Sequence, residues 1–88
     1  MSAGSWLCER YLPAAGTRDP AAQGIVDAVE PFALGYVAGV ADATGRALPE
    51  TAQTQRRILS LLDEGCRADG GRAIRDVTLL AGRAMIES

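Results

Sequence analysis

Pro31-Phe32-Ala33-Leu34-Gly35-Tyr36-Val37-Ala38-Gly39-Val40-Ala41-Asp42-Ala43 is the stretch that decides the fold. From Phe32 to Ala41, ten residues pass without a charge. The run shows no alternation with a period of two, so it does not read as a half-buried strand, and a proline at its head suits the first turn of a helix. A helix apolar on every side is expected at the centre of a bundle. Gly45 follows as the expected residue just past the helix end, in the left-handed conformation. Ten residues are too few for a bilayer crossing, which takes about twenty, so no membrane insertion is expected.

Upstream, Asp19-Pro20 joins an N-cap acceptor to a proline at the first helical position. Ile25, Val26 and Val29 follow at helical spacing and predict a helix over 20–29, which Pro31 ends or kinks before the next one starts. Ser5 is placed to cap a short helix through about Leu12, with Pro13 as its stop and 13–17 as a loop. Residues 1–4 carry no helix signal and are expected to be disordered. Downstream, Pro49-Glu50 opens a helix to about Ala68, with Ile58, Leu59, Leu61, Leu62 and Cys66 on its apolar side. Asp69-Gly70-Gly71 is a turn. A last helix over about 72–86 buries Ile74, Val77, Leu80 or Ala81, and Ala84 or Met85. The expected fold is all-α: a four- to five-helix orthogonal bundle over 5–88, with no sheet. Its core is Trp6, Leu34, Val37, Val40, Ile58, Leu61, Leu62, Ile74 and Val77.

Eighty-eight residues allow one domain with a marginal core, so a staple or a partner subunit matters. The net charge is −2, from eleven acids and nine arginines, with no lysine and no histidine. The arginines are interleaved with acids and form no phosphate-tracking stripe, which argues against nucleic-acid binding. Two cysteines 58 positions apart without histidine cannot make an ordinary zinc site, and a nucleophilic cysteine would lack its base. No Cys-x-x-Cys is present for redox work. No enzymatic activity, metal or cofactor is expected. Asp63-Glu64 is the densest acid pair, but helix neighbours point apart. Gly35-x-x-x-Gly39 lets two helices approach closely, and packing within the chain is the expected use.

Cys8 and Cys66 leave two readings, a structural disulfide or two buried thiols. Small domains outside the cytosol use such staples, which favours the first. Closing so long a loop would contribute roughly 4 kcal/mol in the chain-entropy treatment. Trp6, beside Cys8, reads as a core anchor. Phe32 and Tyr36 lie one turn apart, either packed in the core or presenting an apolar surface to a partner. The candidate contact surface is Phe32, Leu34, Tyr36, Val37 and Val40.

Ser5-Trp6-Leu7-Cys8-Glu9-Arg10-Tyr11-Leu12 resembles the opening of the HdeA family of periplasmic acid-stress chaperones, Trp-x-Cys-(Asp/Glu)-x-(Phe/Tyr)-Leu on a short first helix. Pro31-Phe32-Ala33-Leu34-Gly35-Tyr36 is similar to the family's Pro-x-Ala-Val-Gly-(Phe/Tyr) helix. Ile58 to Cys66 is similar to its third helix, and Ile74-Arg75-Asp76-Val77 to its last. The resemblance runs from residue 5 to about 77. It implies a Cys8–Cys66 disulfide, a homodimer at neutral pH, and a periplasmic location with the signal peptide removed or replaced. It also implies an acid-activated holdase that binds unfolding client proteins. The chain departs from that family in about ten extra residues between Leu12 and Pro31 and in lacking lysine-rich ends. Gly35-Tyr36-Val37-Ala38-Gly39-Val40-Ala41-Asp42 also resembles the Gly-Tyr-x-x-Gly-x-x-Asp helix of Tai-type immunity proteins, whose extra cysteine pair is absent here. The alternatives are therefore an immunity protein that neutralises a toxin, or a structural domain of this type.

Without histidine, any acid sensor must be a carboxylate, and its transition should fall near or below about pH 4. Glu9, Asp63, Glu64 and Asp76, each near an arginine in sequence, are the candidates. Protonating all eleven side-chain acids moves the formal side-chain charge from −2 to +9, setting the arginines against one another.

Overall fold

Asp19 starts the longest helix: its Oδ1 accepts a hydrogen bond from the Ala21 amide at 3.0 Å, and Pro20 fills the first helical position. In the computed structural model, which describes residues 3–17 and 19–87, this helix runs from Pro20 to Ala43. The described residues form four α-helices, α1 Cys8–Ala15, α2 Pro20–Ala43, α3 Ala52–Ala68 and α4 Ile74–Glu87, preceded by a 3-10 turn at Ala3–Ser5. The described residues contain no strand, and the protein is a small all-α bundle.

Three sequence expectations about proline change. α2 passes through Pro31 unbroken, so the helices expected on either side of it are one. Pro31 lies on the exposed side with Asp27, whose carbonyl loses its helical partner and faces solvent. Pro13 lies inside α1, which ends only at Ala15. Pro49 and Glu50 precede α3; its cap is Thr51, whose Oγ1 accepts from the Thr54 amide at 3.1 Å. At the other end of α2, Gly45 takes φ 75°, as expected. The amides of Arg46 and Gly45 donate to the carbonyls of Ala41 and Asp42, at 2.9 and 3.1 Å, which closes a Schellman motif.

The N-terminus is more ordered than its sequence implied. Ala3 and Gly4, expected in a disordered segment, are buried, while Met1 and Ser2 lie outside the described residues. Gly4 is needed there, because an added Cβ would stand 2.6 Å from Cζ of Phe32. Ser5 does not cap α1; Leu7 precedes it, with no side-chain cap. An antiparallel bridge between Leu7 and Ala73 takes up these backbone groups instead. Cys8 donates to the Arg72 carbonyl and Ile74 to the Trp6 carbonyl, each at 2.8 Å. Occupied by that bridge, residues 72–73 stay outside α4, which begins at Ile74 rather than at 72.

The core gathers at this end. Cys8 and Cys66 form the disulfide, with Cα atoms 5.1 Å apart. Leu62, Ile74, Val77, Val29 and Tyr11 pack around it. Trp6 is half-buried at the edge of this cluster, and the Arg10 guanidinium lies 4.1 Å above its ring in a cation–π contact. On α4, Ala81 rather than Leu80 turns inward, joined by Thr78 and Gly82; Ala84 is exposed and Met85 half-buried.

Candidate protein-contact surface

Residues 31–43, expected as a helix buried on every side, form the second half of α2 and are not buried all round. Val29, Ala33, Val37 and Ala41 recur every fourth residue as one buried ridge. On the opposite side, Gly24, Pro31, Gly35, Ala38 and Gly39 are exposed. A Cβ added at Gly24, Gly35 or Gly39 would meet nothing within 4 Å. The Gly35-x-x-x-Gly39 pair therefore serves no close packing within the chain, contrary to expectation. α2 approaches α4 through its other side, where Gly82 faces Val37.

The five residues expected to form a contact surface separate into three places. Val37 is fully buried and cannot contact a partner in this fold. Phe32 packs on the core and over Gly4, with the Tyr36 ring 5.6 Å away at 42°. Leu34 and Val40 are half-buried, and Leu34 opens onto a groove of about 370 Å³. That groove is completed by Gly35 and Ala38 on α2, Leu48, Pro49 and Glu50 in the following loop, and Thr54, Gln55 and Ile58 on α3, so its rim is partly polar. Leu48 and Pro49 carry no periodic signal, because a loop residue gains a role only when tertiary packing places it.

The four candidate carboxylates do not converge. Asp63 pairs with Arg67 at 2.8 Å and Asp76 approaches Arg75 at 4.0 Å. Glu9 is exposed on α1, where its amide donates to the Gly70 carbonyl at 2.9 Å, and Glu64 borders the seam between α3 and α4. A carboxylate missed in the sequence makes the long-range contact: Glu30 Oε2 accepts from the Tyr11 hydroxyl at 3.2 Å, joining α2 to α1. Burial pushes the Tyr11 phenol well above its ordinary range, and the Glu30 carboxylate, then Asp63, push it further. The available signal was a buried tyrosine, whose hydroxyl needs a partner.

Because α2 is continuous, it is long and apolar enough by length and composition to cross a membrane, at about 36 Å. The disulfide opposes a single crossing. Cys8 precedes α2 and Cys66 follows it, so a spanning α2 would force the chain back across through α3, which carries Arg56, Arg57, Asp63 and Glu64. Among the described residues, no three Asp, Glu, Cys or His side chains cluster as metal ligands. The chain matches no family model, no curated protein and no solved structure.

Proposed function

We propose that this chain is a periplasmic, non-enzymatic protein-binding domain, specifically an acid-activated holdase of the HdeA type, with the outer face of α2 as its contact surface. The observation that carries this reading is the one-sided burial of α2. Half of a long apolar helix lies open, beside a groove floored by Leu34, Leu48 and Ile58. A closed stapled core beside an uncovered helix face of small residues, with half-buried Leu34 at its edge, suits a domain that holds other chains while keeping its own fold.

Acid would act on this arrangement through total charge more than through any one contact. The ion pairs among the described residues are Asp63–Arg67, Asp69–Arg72 and Asp76–Arg75, each at the surface, and such pairs contribute little. Protonating Glu30 turns a charge-assisted hydrogen bond from Tyr11 into a neutral, weaker one. The nine arginines, none of them on α2, then repel one another, and α2 loses the negative charges of Asp27, Glu30 and Asp42 that attract them, which loosens it against its neighbours while the disulfide holds the ends of α1 and α3 together.

Light scattering from an acid-labile client, followed at about pH 2.5 and about pH 7 with and without this chain, tests the proposal. Suppression in acid alone supports it. Failure in acid, together with tight 1:1 binding to a toxin at neutral pH, would replace it with the immunity reading.

A further inference from the structure

We propose that the seam between α3 and α4 is a second docking surface, one that takes a short apolar segment of another protein with acidic residues at the end that meets Arg56 and Arg57. This goes beyond the holdase reading, which uses the outer face of α2.

Two clefts of about 310 and 400 Å³ follow one another along this seam. Gln53, Arg57, Leu61 and Glu64 border them at four- and three-residue steps on α3, so they form one stripe of that helix. The α4 side is Val77, Leu80, Ala81, Ala84 and Met85. Leu80 is 49% exposed, the most exposed large hydrophobic among the described residues. A single exposed leucine is unremarkable. Here it adjoins half-buried Leu61 and exposed Ala84, which makes the apolar strip continuous.

Charge selects the occupant. Arg56 and Arg57 line one cleft, and no carboxylate shares its lining. Among the described residues neither arginine has an ion-pair partner. Arg72 borders the other cleft and leans on Asp69 at 3.7 Å, an exposed pair that can exchange partners at small cost. Glu64 is the one acid in either lining. In a chain of net charge −2, Arg56 and Arg57 make a local positive excess at one end of the apolar strip, while Glu64 and Asp69 offset Arg72 at the other, and this favours a partner that is acidic at the Arg56–Arg57 end.

The probe is a ten-residue peptide with two glutamates at one end followed by leucines, titrated at neutral pH into the isotope-labelled chain and followed by amide shifts. Shifts should concentrate at Arg57, Leu61, Leu80, Ala84 and Met85. The doubly substituted Arg56→Glu, Arg57→Glu chain should bind about tenfold more weakly, with unchanged melting. Leu80→Ala should weaken binding as well, and raising salt from about 50 to about 200 mM should lower it severalfold. Equal binding of a peptide with lysines in place of the glutamates would overturn the proposal. So would shifts on α2, shifts at Arg56 and Arg57 alone that inorganic phosphate reproduces, or no shift at about 1 mM peptide.

Discussion

Gly65 and Gly35 are both interior helix glycines, and their surroundings could hardly differ more. At Gly65 the position of a side chain is already taken: an added Cβ would sit 2.5 Å from Cγ1 of Val77. Around Gly35 there is open space. One lies beside the disulfide, where α3 meets α4; the other lies on the outer face of α2. Glycine lowers helix stability wherever it stands. At Gly65 that cost permits close packing of two helices. At Gly35 nothing inside the molecule offsets it, so the outer face of α2 is better understood through what lies outside the molecule.

The staple should show the largest effect. Cys66→Ser is expected to destabilise the fold by roughly 2–5 kcal/mol, read from chemical denaturation. Leu62→Ala, fully buried beside the disulfide, should cost about 2–5 kcal/mol by the same measurement. Gly65→Ala should cost about 1–3 kcal/mol, because Val77 must move. Gly35→Ala should instead stabilise by roughly 0.5–1 kcal/mol. If those two glycines behaved alike, the contrast between closed and open regions would be lost.

A smaller effect concerns the link between α1 and α2. Unfolded, Tyr11 ionises near pH 10, whereas in the fold burial and Glu30 hold its proton to higher pH. Its contribution to stability is therefore complete below about pH 10 and falls as pH rises above it. The chain has no lysine, and its cysteines are bonded to each other, so tyrosines dominate this alkaline limb. The melting temperature should fall between about pH 9 and about pH 11, and Tyr11→Phe should flatten that fall.

Local chemistry was readable where it is self-contained. Asp19-Pro20 and Gly45 mark the ends of α2 through bonds to residues a few positions away, and both act as their types dictate. The row Ile58, Leu62, Cys66 follows from helical spacing alone. Pro31 misled because a proline's cost depends on which side of the helix it faces, and here it faces water. The burial of α2 misled because apolar content does not reveal how much neighbouring chain exists to cover it. Three shorter helices cover one ridge of a 24-residue helix and leave the rest open. The Leu7–Ala73 bridge and the Leu48–Pro49 wall of the groove join segments far apart in sequence and leave no periodic trace.

The central claim is that the outer face of α2 holds client proteins in acid. Ala38→Arg tests it most directly, because Ala38 is exposed beside the groove and arginine keeps its charge at every relevant pH. Client light scattering at about pH 2.5 should be suppressed by the unaltered chain and not by Ala38→Arg, with melting at neutral pH the same for both. Equal suppression by the two proteins would contradict the account.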